Sequence, residues 1–253
     1  MLVFDKVEQV ICWLEIDTDG SIEDVAVLPG NIGDDEDFVY YSVKRTINSV
    51  TKRFLEKWAF ESTCRGDAQL CNLADSFVSY TGVAATVINV AHLVGKQVVV
   101  WADGADVGTA ADGTLIHTVS GGGTITLAAA ATNVVVGLRY TAPWKSAKLV
   151  ELMEHLGGSL LDTQRIKSLG LILADVHAKG LKYGFDLTEA NMQDLPEIEK
   201  GTTVAANAVR ADYANEPLTP PGGWSTDARL CLLAKAPRPC TVLAAIAEFE
   251  HHQ

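Results

Sequence analysis

Carboxylates dominate the side chains of this chain that could do chemistry. The densest run is Asp34, Asp35, Glu36 and Asp37, and a second pair, Asp103 and Asp106, brackets an Asp-Gly turn. Such groups bind a metal only when distant ligands converge on them, and otherwise form solvated loops. Asp17 and Asp19 begin like a calcium loop, but the remaining ligand spacing fails and no helical pattern flanks them. Five cysteines (Cys12, Cys64, Cys71, Cys231, Cys240) are odd in number and form no Cys-x-x-Cys. Reduced, mostly buried thiols are therefore expected rather than a disulfide framework or a zinc site. The six histidines are His92, His117, His155, His177, His251 and His252. No His-x-x-x-His or other paired zinc-ligand spacing is present; His92, His117, His155 and His177 are expected in structural or surface roles, and His251 and His252 read as tail residues or an expression remnant.

Gly121-Gly122-Gly123-Thr124 leads into strand-forming residues, so no helix N-terminus would face an anion there. A Gly-x-Ser-x-Gly elbow is missing. The residues give no catalytic group, metal site or cofactor to expect. The tryptophans (Trp13, Trp58, Trp101, Trp144, Trp224) are spread along the chain, as core or interface anchors would be, rather than grouped for sugar stacking.

Bulk properties narrow the function classes. The formal net charge is −12, from 20 Lys and Arg against 32 Asp and Glu. A protein that grips nucleic acid needs a basic stripe to displace counterions, so sequence-specific binding is disfavoured. No apolar run approaches the roughly 20 residues of a membrane helix, and no membrane insertion is expected. The N-terminus lacks the pattern of a secretory leader.

The elements that must position these groups are mostly strands. Val10 to Leu28 reads as a hairpin turning at Asp17–Gly20. Phe38 to Trp58 reads as a second, turning at Asn48-Ser49. That register sets Ile47 opposite Val50, Val43 opposite Phe54 and Val39 opposite Trp58, apolar against apolar. A helix from about Thr46 is the competing reading. Leu73 to Gly82 is extended. Short strand-forming runs ending in Gly turns then follow from Val87 to Ala142, with Ala128–Ala131 as a loop and Pro143 as the exit. Lys145 to Leu156 has helical spacing, stopped by Gly157-Gly158. Arg165 to Val176, Ala228 to Ala234 and Thr241 to Ala247 read as strands, the last two joined by an extended Pro237-Arg238-Pro239 link.

The expected fold is mainly β: an antiparallel β-rich domain with few short helices and an inserted small β-barrel-like module. Residues 1–86 with 144–253 would form the platform, and 87–143 the insertion.

Four stretches carry a resemblance. They are Val7 to Leu28; Val39 to Trp58, containing Val43-x-Arg45-x-Ile47-Asn48; the module from His92-Leu93-x-Gly95 to Gly137-Leu138-x-Tyr140; and Trp224-x-x-Asp227-x-Arg229-Leu230 with Pro237 to Leu243. In that order they resemble the C-terminal portion of the tail nozzle proteins of short-tailed phages, also called stabilisation or tail tubular proteins. Asn48-Ser49 departs from the family's Asn-Gly.

The resemblance implies a structural, non-enzymatic virion protein assembled in the host cytoplasm. It would be one subunit of a homo-oligomeric ring, of six copies in the family, contacting the tail adaptor and other tail proteins. Viral DNA would pass through without specific binding. Family members carry a long β-rich region upstream, whereas this chain begins at Met1, so a fragment, a split gene or a shorter relative is expected. Asp34, Asp35, Glu36, Asp37, Asp103 and Asp106 are the candidates to face a lumen, where carboxylates would repel passing DNA. A tail-tip carbohydrate- or receptor-binding β-protein is the alternative reading.

Overall fold

The computed structural model describes residues 2–4, 11–31, 33, 36–65, 69–107, 116–148, 163–199, 201–213 and 217–251. Within these the chain is mainly β, with antiparallel sheets and only single turns of 3₁₀ helix at Glu61–Thr63, Ala91–Leu93 and Glu189–Asn191. The helix expected over Lys145–Leu156 falls largely outside the described residues, and Lys145 itself ends a strand. The chain divides into two compact units, Met1–Trp58 and Ala59–Gln253.

The first unit contains β1 (Leu2–Phe4), β2 (Ile11–Trp13), β3 (Ser21–Leu28), β4 (Phe38–Ile47) and β5 (Val50–Lys57). β1 pairs with β2, and a separate sheet runs β3-β4-β5. The β4–β5 hairpin has the register read from sequence: Ile47 faces Val50, Val43 faces Phe54 and Arg45 faces Lys52. Asn48 and Ser49 take φ of 49° and 64°. Two consecutive left-handed residues make the tight turn whose twist suits a hairpin, and the helical alternative is overturned. Serine tolerates that backbone less well than glycine. Ser49→Gly is accordingly expected to stabilise the hairpin by about 0.5 kcal/mol. A higher urea midpoint checks this, and a lowered midpoint contradicts it.

The hairpin expected over Val10–Leu28 does not form. β2 pairs back onto β1, while β3 pairs forward with β4. The segment between β2 and β3 instead wraps a buried cation: Arg45 Nη1 donates to Thr18 Oγ1 and to the Asp19 carbonyl, each at 2.7 Å. Gly20 fits here because its φ is 149° and a Cβ would stand 2.5 Å from the Lys44 carbonyl oxygen.

The second unit opens with β6 (Asp75–Asn89), β7 (Gln97–Ala102), β8 (Ala105–Asp106), β9 (His117–Thr118) and β10 (Thr124–Leu138). They form one sheet in the order β6-β10-β7-β8, with β9 on β7. Among the described residues this sheet stays open, so the module is not barrel-like. It begins at Asp75 rather than Val87, because β6 pairs along β10 from Asn89 opposite Thr124 to Asp75 opposite Leu138. Ala128–Ala131 belong to β10 rather than to a loop. Alanine has weak strand preference, and an irregular register between Thr126 and Ala131 absorbs the run. β7 reads Val98–Ala102 with every residue buried, as expected of a strand covered on both faces.

The remaining strands are β11 (Thr141–Lys145), β12 (Gln164–His177), β13 (Leu181–Gly184), β14 (Gln193–Asp194), β15 (Ile198–Glu199), β16 (Thr202–Thr203), β17 (Val209–Tyr213), β18 (Cys231–Lys235) and β19 (Thr241–His251). Two sheets, β11-β18-β13-β14 and β17-β12-β19, share one core. Leu169, Leu171 and Leu173 of β12 meet Leu181, Tyr183, Tyr213 and Leu232 there. Pro143 lies inside β11 at a sheet edge, where its missing N–H leaves no ladder bond broken. The Pro237–Pro239 connection is a turn rather than an extended link: Arg238 N donates to the Lys235 carbonyl at 3.1 Å, and the Ala236–Pro237 bond is cis.

Two features set the domain division apart from the one expected. β6 joins the module, and the first three-stranded sheet belongs to its own unit rather than to a platform with the C-terminal strands.

Candidate functional site

The six acidic candidates do not form one group. Asp34 and Asp35 lie outside the described residues. Asp37 is exposed, and its Oδ1 accepts from Gly30 N at 3.2 Å; Glu36 beside it is half-buried. Asp103 sits at a positive φ of 46° in the β7–β8 turn. Its carboxylate accepts from Thr132 N, Thr132 Oγ1 and Asn133 N, with contacts of 2.8 Å to the last two. Those donors hold its pKa below the ordinary carboxylate value. Asp103 thus clips the β7–β8 turn to β10, although it remains exposed.

Asp106 overturns its expected place on a lumen wall. It is buried, and its Oδ2 accepts from Arg238 Nε at 2.7 Å. Burial raises its pKa against the opposing pull of that guanidinium. The pair belongs to a polar seam that joins the module to the paired sheets. Trp101 stands directly opposite Asp106 across β7–β8, so their side chains share a face. The Trp101 ring meets His177 edge-on, with centroids 6.1 Å apart. His177 closes β12, and its Nδ1 accepts from Lys179 N at 3.1 Å, which leaves the proton of the neutral ring on Nε2. Arg238 Nη1 also donates to the Lys179 carbonyl at 3.2 Å. Beside this seam, Trp101, Cys71 and Val135 pack with Val209 of β17.

His92 and His117 have structural partners. A ring nitrogen of His92 lies 2.7 Å from the Ser76 carbonyl, and one of His117 lies 3.2 Å from that of Val107. His155 and His252 fall outside the described residues. None of the five cysteines is in a disulfide, and burial pushes Cys240 up to about 12, which leaves it a poor nucleophile at neutral pH. Asp17 and Asp19 gather no calcium ligands; their segment is organised by Arg45 instead. Among the described residues no group of three or more His, Cys, Asp or Glu could hold a metal ion.

Two hollows among the described residues are small. One, of about 50 Å³, is lined by Arg165, Phe185, Pro220, Gly222 and Arg229, with the Arg165 guanidinium 5.0 Å from the Trp224 ring beside it. The other, of about 160 Å³, is lined by Lys179, Asp194, Glu197 and Val204. Asp194 is already engaged by Lys182 Nζ at 3.0 Å. Small-molecule sites start at roughly 300 Å³, well above either hollow. No protein-family model matches the chain, and no curated protein matches it. The geometry must therefore point to function by itself.

It points to surfaces rather than clefts. Among the described residues of the first unit the buried apolar side chains are Tyr41, Val43 and Ile47, all on β4. Ile11, Trp13, Leu14, Ile22, Val25, Val27, Leu28, Val50, Leu55 and Trp58 stand exposed, with Trp13 at 79% and Leu55 at 77%. Every residue of β3 is exposed, so neither face of that strand is covered. Among the described residues no further strand pairs with β3 or β5, the outer strands of this sheet.

The second unit has similar edges. β6 ends its sheet with Val83 at 86% exposure, and β19 ends another with Leu243 and Ile246 above 60%. Between Asp75 and Asn89, β6 carries no other charged residue. Natural edge strands are usually protected by charge, proline or a bulge; β19 carries Glu248 and Glu250, and the β6–β10 register is irregular at three places. Trp101 is the fully buried tryptophan; Trp13, Trp58, Trp144 and Trp224 are each at least 40% exposed. A pattern signal for these surfaces existed in sequence, since strand-forming apolar residues fell on both alternating faces of Ser21–Leu28.

Proposed function

We propose that this chain is a structural subunit of a closed homo-oligomeric ring, acting by shape rather than by turnover. The more specific reading is a tail nozzle of a short-tailed phage, which extends the tail and conducts the genome. The observation that carries the ring reading is the first unit's sheet, which among the described residues gains no strand beyond β3 or β5 and exposes more large apolar side chains than it buries. A unit of this size hides little apolar surface alone, and association with copies of itself supplies the missing burial.

The nozzle reading draws support from the ordered motifs described above and from the net charge of −12. A wall rich in carboxylates repels phosphate and lets DNA slide rather than lodge. Glu36, Asp37 and Asp103, with Asp34 and Asp35, remain the candidates to face that lumen. The assembly would form in the host cytoplasm, join the tail adaptor and reside in the virion.

Native mass measurement and electron microscopy of the purified full chain test the ring reading. The expected result is a cyclic particle, near six times the 27.1 kDa chain mass if the family's copy number holds. A lone 27.1 kDa particle at the highest attainable concentration overturns it.

A further inference from the structure

Two cysteines of the second unit stand side by side. Cys64 follows the 3₁₀ turn Glu61–Thr63, and its N–H donates to the Glu61 carbonyl at 2.9 Å. Cys71 returns antiparallel to it, because Asn72 N donates to the Thr63 carbonyl at 2.9 Å. Each sulfur reaches the main chain of the other segment. Cys71 Sγ lies 3.1 Å from the Cys64 carbonyl oxygen, and Cys64 Sγ lies 3.6 Å from that of Asn72. The Tyr140 hydroxyl senses both: its pKa is raised by burial first, then by Cys64 and Cys71, with Asp75 adding to the effect. In an antiparallel pair, the residue after such an acceptor and the residue before such a donor face each other, with Cα atoms about 4.5 Å apart. Disulfides span roughly 4.4–6.8 Å between Cα atoms, so this relation suits one.

We infer that Cys64 and Cys71 are a reversible redox pair, which closes to a disulfide when a small-molecule disulfide is supplied and reopens when small thiols are in excess. Exposure assigns the order of events. Cys64 is half-buried and reachable from solvent, whereas Cys71 is fully buried and packs with Trp101 and Val135. With oxidised glutathione as the oxidant, the Cys64 thiolate attacks one glutathione sulfur, and the glutathione S–S bond breaks to release one glutathione thiolate. The Cys71 thiolate then attacks Cys64 Sγ in the mixed disulfide and expels the second glutathione thiolate. The two protons lost by the cysteines go, through solvent, to the two released glutathiones. Two electrons pass from the cysteine pair to the glutathione disulfide. A glutathione-reduced cytoplasm holds the pair open, and an oxidising exterior closes it.

The closed bond would staple a strap onto the core beneath it. Leu70 and Leu73, either side of Cys71, pack against the same cluster as Trp101 and Val135. Gln69 Oε1 accepts from Asn133 Nδ2 at 2.8 Å, next to the clip that Asp103 makes. Two other thiols of this unit compete poorly for an oxidant, since burial raises the pKa of both Cys231 and Cys240.

The test treats the full folded chain with oxidised glutathione near neutral pH, quenches with acid and maps tryptic peptides without reduction. Trypsin cuts after Lys57, Arg65 and Lys96, which leaves Cys64 and Cys71 on separate peptides, 58–65 and 66–96. The expected result is one species that joins these two peptides, lighter than their sum by two hydrogens and separated by reductant. Separate glutathione adducts on the two cysteines, unmodified thiols, or links to other cysteines in place of this one overturn the pair. Two variants then test the order of attack. Cys64 in Cys71→Ser should take up glutathione about ten-fold faster, or more, than Cys71 does in Cys64→Ser. Circular dichroism verifies that both variants are folded, and equal rates overturn the order. The peptide map of the unaltered chain decides the pair without either variant.

Discussion

Arg45→Ala is expected to destabilise the first unit's sheet by about 3 kcal/mol or more, the range seen when one partner of a buried ion pair is removed. Arg45 is fully buried on the inward face of β4, between Val43 and Ile47. Its Nε and Nη2 grip the two oxygens of Glu56 at 3.1 and 2.7 Å, while Nη1 holds Thr18 and the Asp19 carbonyl. Truncation would empty the guanidinium's volume where few other side chains among the described residues are buried, take from Glu56 its two-point partner and release the segment leading into β3. Lysine keeps the charge but loses the planar fork, so Arg45→Lys should show an intermediate loss. The double variant R45A/E56A should be less damaged than the two single losses added, because no charge is left without its partner. Hydrogen exchange of the β4–β5 amides localises the effect to this sheet. A loss below about 1 kcal/mol, the ordinary worth of an exposed pair, would show that Arg45 is not what holds it.

The prominence of Arg45 also shows which parts of the fold sequence made legible. The β4–β5 hairpin could be read because both of its determinants are local: apolar residues at every second position and a turn between them. That same alternation, Tyr41-Val43-Arg45-Ile47, places Arg45 on the buried face, a signal present in the sequence itself. The strand partners of Val10–Leu28 were misread because proximity suggested one hairpin. The chain instead pairs β2 backward and β3 forward, and no residue at the Asp17–Gly20 turn dictates that choice.

The candidate site was still less legible. Asp106 looked like a surface carboxylate, since its partner Arg238 lies 132 positions away in sequence. A contact of that range leaves no local pattern. Ala128–Ala131 become strand only because β6 lies alongside them, a tertiary decision that outweighs weak propensity. The exposed edges, by contrast, follow from composition once pairing is known. β6, rich in Val and Ala with Asp75 as its one charge, has little at its border to discourage pairing.

The seam between the module and the paired sheets should make the second unit sensitive to acid. His177 is fully buried, and its pKa is lowered to about 4 by burial first, then by the charge of Arg238, with Lys179 and Arg210 adding to the effect and Asn207 opposing it. An unfolded chain carries this imidazole at its ordinary value of 6.5. Above pH 6.5 both states hold it neutral, and its contribution to stability is whole. As pH falls from 6.5 toward 4, the unfolded chain takes up a proton that the folded chain refuses, and stability drains away. The slope approaches about 1.4 kcal/mol per pH unit, for a total loss of about 3 kcal/mol. Below pH 4 both states are protonated and this contribution levels off. Asp106, whose pKa is raised, acts in the opposite sense: protonation at low pH favours the folded state but weakens its hold on Arg238. Carboxylates elsewhere titrate in the same window, so the decisive quantity is a difference between two chains. His177→Asn keeps an acceptor near Lys179 N and removes the titrating ring. Its stability at neutral pH should fall through lost packing against Trp101, while its decline between pH 6.5 and 4 should be shallower than the parent's by about 3 kcal/mol. Parallel curves from urea denaturation across that range would mean that His177 charges freely in the folded protein, and that the seam around it admits water.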